Sequence, residues 1–297
     1  ALPEQLLLNG VLSAQGEQLA LNDRTIQFKG SLDGSSWRNI HPERFDIDAS
    51  ISEQLASAKV NFHWKQQAFS GLLSVKNWLK VPRFDVGVRF SDVDLSKWPG
   101  TLPIVAESGE VRLSGTGSDL LHLNAKGQMT INELSLYQIP IDSLRVDGNI
   151  GHGVASIDTM LLMMNDDQMS AVGTYHLKDE VLNGRLNANI LDFKFSHPLV
   201  PVSIEVNDAQ LDLEMDGRLD SLRLQAYLVA NGLMVDSVFA EKLLVDINGQ
   251  WIDDAPVANI TGSVNGLVLS DYRANKIDVE GRYQKDKASV DVKALLQ

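Results

Sequence analysis

The chain has 297 residues, 44% of them hydrophobic and 22% charged, and no apolar run approaches the roughly 18 to 20 residues of a membrane-spanning helix. Its formal net charge of −13 argues against nucleic acid or an anionic membrane surface as a partner, because both need clustered Lys and Arg to neutralise phosphate. The absence of cysteine is compatible with an oxidising compartment, and Ala1-Leu2-Pro3 carries no signal peptide, so an export signal is expected to have been removed or to lie upstream.

From Leu7 to Leu21, short apolar runs are broken by Asn9-Gly10, Gln15-Gly16 and Asn22-Asp23, dipeptides that favour turns and predict a series of hairpins. Ile26 to Leu32 reads as a strand, Asp33 to Ser36 as a turn, and Trp37 to Arg44 as irregular chain around Pro42. Phe45 to Ile51 then alternates apolar and polar residues, which gives a strand one dry face and one wet face. The same period returns at Val60 to Lys65, Leu73 to Lys76, Phe84 to Ser91, Val111 to Ser114, Leu211 to Asp216 and Val290 to Lys293. A helical period is sustained nowhere. Only brief helices are predicted, at Ser52 to Ala58 and at Ser96 to Leu102, the second cut short by Pro99 and Gly100.

The chain also repeats itself. Asn265 to Gly281 reads as a turn at Asn265-Gly266, a short strand ending Leu267-Val268-Leu269, a polar turn at Ser270-Asp271 and a second strand closed by Gly281. Asn132 to Gly148 follows the same plan without a gap, and a third copy runs from Asn231-Gly232-Leu233 to Asp246. A longer repeat contains this unit, with Asp92 to Leu95 matching Asp192 to Phe195 and Gly117 matching Gly217. Alternation and repeats together choose a dry row: Phe84, Val86, Val88, Val111 and Leu113; then Leu134, Leu136, Leu144 and Val146; then Leu211, Leu213, Met215, Leu233 and Val235; and finally Leu243, Val245, Leu267, Leu269, Ile277 and Val279.

The fold expected is all-β, with about twenty strands in an elongated, repetitive antiparallel sheet. So large a sheet must curl, close or fold into two facing layers because it twists, with its apolar rows lining whatever interior results. It is read as one continuous segment, 1–297, of a longer protein, with super-repeats of approximately 1–91, 92–191 and 192–297.

Residues for chemistry are harder to find. His41, His63, His122, His152, His176 and His197 are dispersed, none at a metal-ligand spacing from a carboxylate or another histidine. Asp212-Leu-Glu214-Met-Asp216-Gly217 opens like a calcium loop, but its twelfth position is Arg223 where a bidentate Glu is needed. A strand with acids on its wet face explains those residues better. No nucleophile elbow appears, and Asp166-Asp167 follow Asn165 in a turn composition. No catalytic residue, metal or cofactor is predicted, and the chain is read as no enzyme. Met160, Met163, Met164 and Met169 suit either core filling or contact with a variable apolar ligand.

Gly217-Arg-Leu-Asp-Ser-Leu-Arg-Leu-Gln-Ala-Tyr-Leu-Val-Ala-Asn-Gly-Leu233 and Ala240-Glu-Lys-Leu-Leu-Val-Asp-Ile-Asn-Gly249 resemble the repeats of the AsmA-like superfamily, within it the TamB family. The likeness covers the chain from about Phe84 onward and rests on a hydrophobic rhythm, with no catalytic motif. Such proteins are anchored in the inner membrane of diderm bacteria and form an elongated β groove with an apolar inner surface. The resemblance implies a periplasmic segment that conducts phospholipid between inner and outer membrane and supports outer-membrane protein assembly. Its partners would be phospholipid acyl chains, held along the dry row, and an outer-membrane barrel protein reached through another part of the parent protein. The alternative is a β-solenoid scaffold or protein-interaction module whose interior is packed with its own side chains. A transmembrane barrel also alternates, but five Trp and five Tyr form no paired girdles here.

Overall fold

The computed structural model of the protein describes residues 6–7, 10–18, 24–32, 36–37, 43–95, 103–119, 121–136, 139–197, 200–252, 255–270, 272–284 and 287–296. It is all-β and antiparallel. Strands hold 85% of the residues, and the described residues include no α-helix.

The chain divides into two compact units, Ala1–Asp158 and Thr159–Gln297. The first holds β1 (Leu6–Leu7), β2 (Gly10–Gln18), β3 (Arg24–Leu32), β4 (Ser36–Trp37), β5 (Arg44–Ile51), β6 (Leu55–Trp64) and β7 (Gln67–Lys76). It continues with β8 (Arg83–Asp94), β9 (Ile104–Thr116), β10 (Asn124–Leu136) and β11 (Ile139–Gly151). Next comes β12 (Val154–Met164), within which the unit boundary falls, away from the repeat boundaries at 91/92 and 191/192. The second unit continues with β13 (Asp167–His176), β14 (Val181–His197), β15 (Val200–Arg218), β16 (Arg223–Val235), β17 (Val238–Ile252), β18 (Ala255–Leu269), β19 (Tyr272–Gln284) and β20 (Lys287–Leu296). From β5 to β11, and again from β13 to β20, each strand pairs with the next in sequence. This is the meander that short turns favour.

Three local expectations give way to sheet pairing. No helix forms at Ser52 to Ala58. Ser52 instead closes a tight turn, its Oγ accepting from the Leu55 N–H at 3.1 Å, and Ala56, Ser57 and Ala58 pair with β5. Gln15-Gly16 is no turn, because β2 runs through it in register with Ile26 and Gln27 of β3. Asn265-Gly266 does not reverse the chain either, since β18 passes straight through, pairing Asn265 and Leu267 with β17 and β19. The expected helix at 96–102 and the expected turns at Asn9 and at Asn22-Asp23 lie outside the described residues.

What Asn-Gly marks is a crease. In β16 the dry residues Leu224, Ala226, Leu228 and Ala230 resume at Leu233 and Val235, an odd step that a regular strand would send to the opposite face. Gly232 stands in the step with φ of 60°, and Gly266 does the same in β18 with φ of 61°. A left-handed residue turns the strand, so the dry row continues on the same side. In the first unit Asp92 of β8 (φ 54°) and Glu133 of β10 (φ 49°) take this role, and Asp192 of β14 (φ 49°) does so in the second. The pairing ladders skip a rung at these positions while keeping register, between Ser91 and Val93 and again between Asn132 and Leu134. In the second unit the rungs are missing beside Asp192, Gly232 and Gly266. The longer repeat thus marks backbone geometry, and its Gly117 and Gly217 both have positive φ, 121° and 124°.

Most of the buried apolar residues among those described flank this line. Val93, Ala106, Leu134 and Ile141 in the first unit, and Val206, Ala230, Ala240 and Ala274 in the second, are between 3% and 8% exposed. Asp92, Glu107, Glu133 and Asp142, and likewise Asp192, Asn207, Glu241 and Asn275, are exposed on the other side of the same backbone. Residues inside a bend are sheltered by its two arms and residues outside are not. In each unit, therefore, the dry face is the inner surface of the crease.

Candidate functional site

Register brings the dry residues of neighbouring strands together in rows, the unit of sheet stabilisation. In the first unit Val88, Val111 and Val146 share one row through Met129. Val86 and Leu113 share the next, and Phe84 stands opposite Gly115. Leu144 lies on the row of Phe90, Gly109 and Ile131, whereas Leu134 and Leu136 lie across the crease with Ala106 and Ile104. Leu134 and Leu144, both predicted to face inward, therefore occupy the two arms.

The second unit repeats the arrangement. Leu211, Val245 and Val279 share a row through Leu228 and Gly262, and Leu213 joins Ala226 and Leu186 in the next. Met215 pairs with Leu224, and Leu243 and Ile277 meet through Val264. Across the crease Leu233, Ala240, Leu267 and Ala274 form one row, and Val235, Val238 and Leu269 another.

Most of these side chains are half-buried; Leu113 at 40% and Leu269 at 44% are the more exposed. No large side chain among the described residues is fully buried. Among the described residues, therefore, the dry face shows no packed second layer of the kind that buries a sandwich core. Met160, Met163, Met164 and Met169 are half-buried as well, on β12 and β13.

Alternation alone overlooked an aromatic row and the crease itself. Phe45, Phe62, Phe69 and Phe90 stand in register from β5 to β8, with ring centroids 5.7 Å apart for Phe62–Phe69 and 6.3 Å for Phe69–Phe90. The last ring lies over Gly109, where an added Cβ would come within 2.2 Å of it. The odd step of three between dry residues, centred on Asp, Glu or Gly after a polar residue, is the sequence signal for the crease.

The wet face is a lattice of exposed charges. Arg89 donates to Glu110 at 3.0 Å and Arg112 donates to the same oxygen at 2.9 Å, holding the Glu110 carboxyl below the usual glutamate range. Arg185 stands 3.9 Å from Asp212 and 3.7 Å from Glu214. At the crease the sign reverses. Glu107 is pushed above the usual range by a hydrogen bond to Glu133, by the charge of that group, by burial and by Asp92. Cavities of the first unit open on this wet side, one of about 590 Å³ and one of about 500 Å³. Among the described residues no group of His, Asp and Glu is arranged to hold a metal ion.

No protein-family model matches this sequence, no curated protein matches it, and no solved structure matches its fold.

Proposed function

We propose that the protein conducts phospholipid, its acyl chains lying along the dry inner face of the creased sheet. The observation that carries this reading is the crease, which turns a one-sided sheet into a sheltered apolar trough in each unit. Each acyl methylene removed from water is worth about 0.8 kcal/mol, so a sixteen-carbon chain needs shielding of about 12 kcal/mol. Rows of Val, Leu, Ile and Ala repeated on every strand supply that shielding without a deep pocket that would trap the cargo. The half-buried inner side chains favour this reading over a scaffold packed with its own residues. The resemblance of its repeats to the AsmA-like superfamily supports a conduit in the periplasm of a diderm bacterium, with an outer-membrane barrel as partner of the parent protein.

The test is capture of lipid in the cell. Photoreactive residues at Leu213 and Val245, on the inner face, are expected to crosslink phospholipid, and one at exposed Glu214 is not. Equal capture at all three positions, or none alongside a purified chain free of phospholipid by native mass spectrometry, overturns the proposal.

A further inference from the structure

One end of the first unit departs from the acidic character of the whole. Lys76-Asn-Trp-Leu-Lys-Val-Pro-Arg83 holds three cations and no acid in a chain of net charge −13. The segment joins β7 to β8, and Lys76 and Arg83 are the paired residues at its base. Its apolar side chains are open to solvent: Leu79 and Val81 are each 67% exposed and Trp78 42%. The loop is nevertheless fixed. The Trp78 indole N–H donates to the Ser52 carbonyl at 2.9 Å, Asn77 N–H to the Gln54 carbonyl at 2.7 Å, and Pro82 accepts from Gly117 N–H at 3.0 Å. Exposed apolar groups on a rigid tip are costly in water and need a covering partner.

Beside the loop lies the cavity of about 590 Å³ on the wet face. Lys76, Arg83 and Lys126 line it, with Ser74, Ser114 and Thr116 supplying hydroxyls; Asp85 is the acid among its lining. Three cations and three hydroxyls converging on an open cavity suit a phosphate oxyanion. The adjoining Trp, Leu and Val suit the boundary between headgroups and acyl chains, where Trp is enriched.

We propose that this end of the first unit docks on an anionic phospholipid bilayer, loop 77–82 entering the interface and Lys76, Arg83 and Lys126 receiving a lipid phosphate. The overall negative charge and this local cluster do not conflict, because charges beyond about 10 Å are screened at ordinary ionic strength. The cations and hydroxyls of the docking surface lie on the wet face, although Phe84 of the dry row also lines the cavity.

Cosedimentation of the 297-residue chain with vesicles tests this directly. Attachment is expected to vesicles of equal parts phosphatidylcholine and phosphatidylglycerol, to weaken with salt, and to be nearly absent on phosphatidylcholine alone. Replacing Lys76, Arg83 and Lys126 with Gln is expected to weaken attachment on the order of a hundredfold. Changing Trp78, Leu79 and Val81 to Ser is expected to weaken it at least about tenfold. Circular dichroism matching the parent chain shows that each variant is folded. Attachment unchanged in both variants, equal attachment to vesicles of phosphatidylcholine alone, or exclusive crosslinking of loop 77–82 to a protein in envelope extracts overturns the proposal. Because attachment is read without lipid transfer, this result and the photocrosslinking result stand or fall separately.

Discussion

Where the first unit places Glu133 at its crease, the second places Gly232 and Gly266, and all three have nearly the same positive φ. The surroundings differ as much as the residues. Asn207 and Glu241 cover the two glycines, leaving an added Cβ within 2.1 Å and 2.7 Å of their side chains. Glu133 instead meets Glu107, which also feels the charge of Asp92, so the outer side of that crease concentrates negative charge. The bend is thus a backbone requirement met in two ways. One avoids steric strain with glycine, and the other accepts strain and repulsion on an exposed ridge.

Breaking the glycine solution is expected to have the largest effect. Gly232→Val forces a β-branched side chain into the left-handed region and against Asn207, and is expected to destabilise the second unit by about 3 kcal/mol in urea unfolding. A loss below about 1 kcal/mol would mean that this crease tolerates a side chain as the first one does. Glu133→Gly moves the first crease toward the second. Relief of left-handed strain, less the added freedom of the unfolded chain, is expected to stabilise it by up to about 1 kcal/mol. If stability falls instead, Glu133 contributes more through its contacts than it loses in strain.

The repulsion has a pH signature. A carboxyl with a raised folded-state pKa binds more protons folded than unfolded, so its contribution to stability falls as pH rises from the unfolded value through the folded one. Glu107→Gln is expected to flatten that decline and to raise the melting temperature at neutral pH. An unchanged profile would remove electrostatics from the comparison. Glu110, held low by Arg112 and Arg89, works in the opposite sense: its contribution is present above the unfolded pKa and fades as pH falls through the folded one. Glu110→Gln is expected to change acid stability only slightly, because the pairs are exposed and salt-screened. A large loss would show that the lattice acts as a network.

The alternating segments made the sheet legible. Phe45 to Ile51 and Phe84 to Ser91 declare their period without help, and Asn132 to Gly148 declares the repeat. The crease was hidden because Asn-Gly looks alike locally whether it reverses a hairpin or bends a strand; only the pairing of Asn265 with both Lys242 and Lys276 distinguishes them. Ser52 to Ala58 misled for a similar reason. Its small and polar residues tolerate a helix, and the partner strand β5, invisible to a local reading, decides for extension.

The skipped rungs have a mechanical meaning. A ladder resists shear and opening through its pairing, and along the crease that pairing skips a rung at the same height in successive strands. Load applied to the two arms is expected to concentrate there, with the arms acting as stiff plates about the fold line. The width of the trough would then follow the angle between them, with the pairing on either side kept.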